Sequence, residues 1–254
     1  MAAPLGLIGL YLRWRMEETP TFRQAMAEDK DHSHSPLRET LQQQKGMILR
    51  LGAFISLTAL SFYMFTTYFA TYLQVVGHLS RAQSLMVSTV ALLFAAGACP
   101  AAGAFSDRFG RRRTVATACL WVILMVFPAY WLASSGQLAA AILGVILLAV
   151  GAVLSGVVTA ALLSEVFPTR TRYTASAITY NIAYTIFGGT APLVATWLIN
   201  QTGSSLAPAF YLVVIALLAL VGGLALPETS RTSLHDEPQA GQTSSSRFTA
   251  SENA

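Results

Sequence analysis

Charged side chains are scarce in this sequence, and the scarcity is concentrated. Asp, Glu, Lys and Arg make up 11% of 254 residues, and six long apolar stretches contain no Asp, Glu, Lys, Arg or His at all. A soluble domain spreads charge over its whole surface, so this distribution excludes one. Cysteine is nearly missing too. Cys99 and Cys119 both fall inside apolar stretches, where they read as small buried apolar residues, and neither a disulfide framework nor a metal site is expected. No charged segment precedes the first apolar residues and no small-residue cleavage site follows them, so no signal peptide is expected. Chemistry-bearing patterns are equally thin. We find no nucleophile with a base, no metal-ligand cluster and no phosphate-binding loop. His32 and His34 sit in a solvated Asp-His-Ser-His run with no further His or Cys nearby. An enzyme is therefore disfavoured, and neither a metal nor a cofactor is expected.

What is present is length of apolar sequence. About 20 apolar residues cover the hydrocarbon as a helix, and six stretches qualify: 51–76, 83–104, 115–134, 138–163, 174–199 and 208–226. Each must be helical, because lipid offers no partner for an unpaired backbone amide. The polar gaps between them orient the chain. Of 16 Lys and Arg residues, all but Arg81 lie in alternate gaps, and all 12 Asp and Glu residues lie on that same side. Short basic loops stay in the cytoplasm, so that side is cytoplasmic and the carboxy terminus with it. The net charge of +4 is explained by this topology, and a nucleic-acid partner is not expected; the lipid bilayer is.

Four regions follow. Residues 1–12 are apolar but only about 16 Å long as a helix, half a bilayer; they read as the remnant of a spanning helix. Residues 13–50 form a polar cytoplasmic loop, 51–226 the six-span bundle, and 227–254 a Ser-, Thr- and Gln-rich cytoplasmic tail expected to be disordered.

Two loops carry ordered strings. Gly103-Ala-Phe-Ser-Asp107-Arg108-Phe-Gly110-Arg111-Arg112-Arg113 joins the second and third spans across a predicted loop at 105–114. Gly103 would let helices approach closely, Asp107 would meet a helix N-terminus or an Arg, and Gly110 would permit a tight reversal. Glu165-Val-Phe-Pro168-Thr169-Arg170-Thr-Arg172 occupies the next inner loop. There Pro168 would stop the helix, and Glu165 would pair with Arg between helix ends. The first string resembles the signature loop of the major facilitator superfamily, and the second resembles the loop between that superfamily's tenth and eleventh spans. Together they imply an all-α membrane protein, a six-transmembrane-helix bundle corresponding to the carboxy-terminal half of a twelve-span major facilitator fold. Residues 1–12 would then end span six, and 13–50 would be the central loop.

Finer resemblance comes from Glu18-Thr-Pro-Thr-Phe22, from Thr66-Thr-Tyr68 through Thr71-Tyr-Leu73, and from Phe187-Gly-Gly-Thr-Ala-Pro192 with Trp197-Leu-Ile199. These look like the metabolite:proton symporter family, whose members include proline/betaine, α-ketoglutarate, citrate and shikimate transporters. The first-span pattern leans toward α-ketoglutarate and citrate members. Ala207-Pro-Ala-Phe-Tyr211 and Pro227-Glu-Thr229 lean toward the proline/betaine type.

A substrate path is expected on the first and fifth spans. On a helical wheel Ile55, Phe62, Phe69 and Leu73 form an apolar stripe suited to lipid. Thr58, Ser61, Phe65, Tyr68 and Tyr72 form a second stripe, and Tyr63, Thr67, Thr71 and Gln74 a third. Polar groups on two faces imply protein or a wet cavity around this helix. In the fifth span Asn181, Tyr184 and Gly188 share a face, and Gly188-Gly189 with Pro192 weaken the helix near mid-membrane, where transporters place their sites. Gly144, Gly151, Ser155 and Thr159 make a small-residue packing ridge on the fourth. The pathway candidates are Tyr63, Thr67, Tyr68, Tyr72, Asn181, Tyr184 and Gly188. The gate or latch candidates are Gly103, Asp107, Arg108, Gly110, Arg111, Arg112, Glu165, Pro168 and Arg172.

The expected function is that of the carboxy-terminal half of a secondary active transporter in the cell inner membrane, taking up a small polar or carboxylated metabolite with a proton as coupling ion. Proton coupling ordinarily needs an ionisable group inside the membrane; these spans have none, so that group would sit in the amino-terminal half, the expected partner. The alternative is a non-transporting six-span protein or partner subunit.

Overall fold

The computed structural model describes Tyr11 and residues 44–168 and 171–227. Six helices there are long and apolar enough to cross a membrane: α1 (Lys45–Val75), α2 (Arg81–Phe109), α3 (Arg111–Ser134), α4 (Leu138–Glu165), α5 (Arg172–Thr202) and α6 (Ala207–Leu224). Even α6, with 18 residues, is about 27 Å long, near the hydrocarbon thickness. The expected remnant at 1–12, apart from helical Tyr11, most of the loop at 13–50 and the tail after Pro227 lie outside the described residues, as do Thr169 and Arg170.

The helices overrun the apolar stretches. α1 begins at Lys45, inside the segment expected to be loop. α2 continues to Phe109 and α3 starts at Arg111, so the loop expected at 105–114 shrinks to Gly110. Hydrophobicity marks where a helix meets lipid, but backbone hydrogen bonding continues into water until a residue stops it, and Lys45, Arg50, Asp107 and Arg108 stay exposed on the projecting turns. At the opposite end, α2 starts at a capping box. The Ser80 hydroxyl accepts from the Gln83 backbone N–H (3.3 Å), and the Gln83 side chain accepts from the Ser80 N–H (3.0 Å).

α1 is the central helix. It packs against α6, α5 and α4, while α4 also carries α2 and α3. Of the most apolar stretch of α1, 61% is buried, against 17% for α2. This corrects the wheel reading: Ile55, Phe69 and Leu73 are fully buried in the core, and of the stripe assigned to lipid only Phe62 is exposed. The second stripe, Thr58 through Tyr72, is buried as well. Cys99 is likewise corrected, being exposed on α2, whereas Cys119 is buried.

The ridge on α4 sets two close approaches. A Cβ at Gly144 would stand 2.6 Å from the Ala129 carbonyl oxygen of α3, and one at Gly151 2.7 Å from Val122. Further along, the Thr58 hydroxyl bonds that of Thr159 at 2.9 Å and joins α1 to α4.

Two helices depart from α geometry. α1 contains a π turn at Met64–Tyr68 and α5 one at Tyr184–Gly188. After the second, Gly189 and Thr190 form a turn before the helix resumes at Ala191 with Pro192 in its first turn. The interruption falls where Gly188-Gly189 and Pro192 placed it.

Candidate functional site

Two constellations stand out, one at the arginine-rich end of the bundle and one along α5. The first is centred on Arg111. Gly110 adopts φ 94°, a backbone region that glycine enters without a Cβ clash, and so reverses the chain from α2 to α3 in one residue. That reversal sets the last turn of α2 beside the first residue of α3. Arg111 Nη1 donates to Asp107 Oδ1 at 2.6 Å and to the Ser106 hydroxyl at 2.9 Å. The other edge of the guanidinium faces α4: Nη2 reaches Glu165 Oε1 at 2.9 Å, and Nε lies 3.3 Å from both carboxylate oxygens. One planar fork thus joins the ends of three helices, a geometry that lysine cannot reproduce.

Glu165 is held there because α4 ends on it. Pro168 follows, lacks an N–H and offers its carbonyl to the Thr171 N–H at 3.1 Å. Arg172 opens α5 and donates from Nε to the Phe167 carbonyl at 3.0 Å, so it closes the same turn.

Two further latch candidates lie beside the fork in sequence. The Arg108 guanidinium lies 5.6 Å from the centre of the Phe109 ring, and Arg112 is exposed on α3. Gly103 is a correction: a Cβ there would meet nothing within 4 Å. The close approach expected of it is absent within this bundle because α2 presents that face outward.

The second constellation is aromatic. Gly188 lies directly against Tyr63, where a Cβ would stand 2.7 Å from the ring. Tyr63 and Tyr184 meet edge to face at 6.4 Å, and Tyr180 stacks on Tyr184 at 4.0 Å. The π turn of α5 therefore packs against α1 just before that helix's own π turn, and single π turns inside α-helices occur often at functional sites. Thr67 and Asn181 are exposed nearby, with Asn181 Nδ2 donating to the Ala177 carbonyl at 2.8 Å. Tyr68 and Tyr72 belong elsewhere. Both are buried; the Tyr72 hydroxyl donates to the Ser205 carbonyl at 3.0 Å, and its ring stands 4.9 Å from that of Tyr130.

A cavity of about 560 Å³ opens between α4 and α5, lined among others by Ser164, Arg172, Tyr173, Ser176 and Tyr180. Tyr173, Ser176 and Tyr180 were not among the sequence candidates. The signal was available: residues 173, 176, 180 and 184 repeat at helical spacing on one face of α5.

Set beside known proteins, the chain matches the family model described as Major Facilitator Superfamily over residues 1–189 and 78–250. It is 33% identical over 243 residues to the glycine betaine/proline/ectoine/pipecolic acid transporter OusA of Dickeya dadantii, covering 92% of this chain and 48% of that protein. It is 32% identical to the proline/betaine transporter of Salmonella typhimurium, with the same coverage of 92% and 48%. To the ectoine/proline transporter ProP of Corynebacterium glutamicum it is 30% identical over 242 residues, 92% of this chain and 48% of that one. The chain spans about half the length of these curated relatives.

Proposed function

Because this chain belongs to the major facilitator superfamily, we propose that it forms the carboxy-terminal bundle of a proton-coupled secondary transporter in the inner membrane. Its substrate would be a small polar metabolite, and the names of its relatives favour a zwitterion of the proline or betaine type. In this reading the arginine-rich end and both termini of the bundle face the cytoplasm. A second six-helix bundle packs against the exposed faces of α2 and α5, and the two rock about a site between them. The proton is the coupling ion, no cofactor is bound, and no chemical bond is made or broken. The proton-carrying group belongs to the other bundle, because the six apolar stretches hold no Asp, Glu, Lys, Arg or His.

The observation that carries the reading is the Arg111 fork. A guanidinium shared between Asp107 on α2 and Glu165 on α4 ties helix ends that must move as one body if the bundle is to rock. Asp107 is the adjustable arm: its side chain is 70% exposed, against 14% for Arg111 and 21% for Glu165. It can leave the fork without unburying a charge. Replacing Asp107 by Ala in the complete two-bundle protein tests this. Uptake of radiolabelled glycine betaine should fall at least about tenfold with the membrane level of protein unchanged; unchanged uptake would sink the role.

A further inference from the structure

The interruption of α5 divides that helix into two segments that rest on different neighbours. The segment before it, Arg172–Ala183, lies on α1 and α4; the segment after it, Ala191–Thr202, lies on α6 and on α1 around its π turn. Between them the hydrogen-bond ladder is broken. The Gly189 N–H reaches back five residues to the Tyr184 carbonyl at 2.8 Å, and Pro192 has no N–H to give the Gly188 carbonyl. The Thr190 hydroxyl donates to the Ile186 carbonyl, as hydroxyls do where a membrane helix breaks. The far segment is lightly held. Its fully buried residues are Ala191 and Ala195, while Leu193 and Trp197 are 72% and 57% exposed. The outer stretch of α1, Phe69–Val75, instead buries Phe69, Tyr72 and Leu73, so α1 stays in place where α5 is free to move.

A hydroxyl tethers the far end. Tyr72 donates to the Ser205 carbonyl at 3.0 Å, in the connection just past Thr202, and the Tyr130 carbonyl of α3 stands 3.4 Å from the same hydroxyl. One proton thus has two acceptors. When Ser205 withdraws, the proton passes to Tyr130, so no buried donor is left unpaired, the usual cost of opening such a contact. We infer that Ala191–Thr202 is a gate: it pivots at Gly188–Pro192, and Tyr72 holds or releases its other end by exchanging Ser205 for Tyr130. The inference rests on the transporter reading for what the gate closes, the mouth between the two bundles on the side away from Arg111. It goes beyond that reading, since rocking moves each bundle as one body. The gate has 12 residues and is about 18 Å long. A modest pivot therefore displaces Trp197 while Arg172–Ala183 keeps its place on α1 and α4.

The test measures distances between paired spin labels on the 254-residue chain in lipid nanodiscs. Cys99→Ala removes the exposed thiol, and Cys119 stays buried. The gate pair joins Trp131→Cys on α3 to Trp197→Cys; the control pair joins Trp131→Cys to Tyr173→Cys, before the break. All three positions are exposed. The gate pair should show two distances about 5 Å or more apart, and the control pair a single one. Tyr72→Phe keeps the ring and removes the tether, so it should raise the open population at least about threefold. Pro192→Ala returns an N–H to the Gly188 carbonyl and should lower that population at least about threefold. A single distance for the gate pair overturns the inference, as does a second distance that the control pair shares. So does an open population that neither substitution changes. The first two readings need neither substitution, so they stand even if Tyr72→Phe or Pro192→Ala misfolds. Failure here is separable from failure of the transporter reading. A rigid α5 in a two-bundle protein that still accumulates substrate would leave transport standing and remove only the gate.

Discussion

Arg111 and Glu165 lie 54 residues apart in the chain and 2.9 Å apart in space. Their contact is two-pronged, it is mostly withdrawn from solvent, and it joins the first residue of α3 to the last residue of α4. Asp107 completes the fork from α2. Three helix ends that arrive from different directions are thereby held by a single side chain, made possible by the one-residue reversal at Gly110.

A double-mutant cycle on Arg111→Ala and Glu165→Ala should give a coupling of about 1–2 kcal/mol in thermal or chemical unfolding of the bundle in detergent, since the pair is partly buried and bidentate. Asp107→Ala should cost less than about 1 kcal/mol, as expected for an exposed partner. Additive effects of the first two substitutions would mean that the fork contributes no joint stability.

Gly188→Ala should disturb the packing of the α5 π turn against α1. Its Cβ would stand 2.7 Å from the Tyr63 ring, and relieving an overlap of that size costs about 1–3 kcal/mol. The loss should be recovered largely by a second change, Tyr63→Ala, which removes the ring. If Gly188→Ala unfolds at the temperature of the parent chain, the contact is not a constraint.

Gly144→Val should be the most damaging substitution on the α4 ridge. The Ala129 carbonyl, 2.6 Å from the position of a Cβ, is backbone and cannot rotate aside, so α3 and α4 must separate. We expect a loss of about 3 kcal/mol or more, read as a lowered unfolding midpoint against Gly156→Val, where a Cβ would meet nothing within 4 Å.

How much of this was legible in the sequence depends on the physics behind each feature. The six spans were, because crossing hydrocarbon demands a run of about 20 apolar residues and nothing else produces one so regularly. The interruption of α5 was, because Gly188-Gly189 and Pro192 weaken a helix whatever surrounds it. The burial of Ile55, Phe69 and Leu73 was not. Lipid tails are as apolar as a leucine side chain, so a stripe of Ile, Phe and Leu looks the same whether it faces lipid or the centre of the bundle. The π turn at Met64–Tyr68 was hidden for another reason: it adds to the helical repeat without any distinguishing residue type.

The same contrast runs through the site. Asp107 and Glu165 were visible as lone acids among arginines, and Gly110 as the residue able to turn. That both acids share Arg111 depends on how α2 and α4 end. Tyr72 looked like a pathway residue because it is polar and lies in the first span, yet its hydroxyl closes on the Ser205 carbonyl in the connection between α5 and α6. A tyrosine on a central helix serves packing or passage with equal ease, and only the neighbours decide.

In the proposed reading this bundle moves a zwitterion with protons when joined to its complementary half. It is tested most directly by loading vesicles containing the complete two-bundle protein and following glycine betaine accumulation under an imposed pH gradient, acid outside. Accumulation against the concentration gradient, collapsing when a protonophore is added and abolished when this chain is left out, is the expected result. Equal betaine content in vesicles with and without the protein, at every gradient, would contradict it.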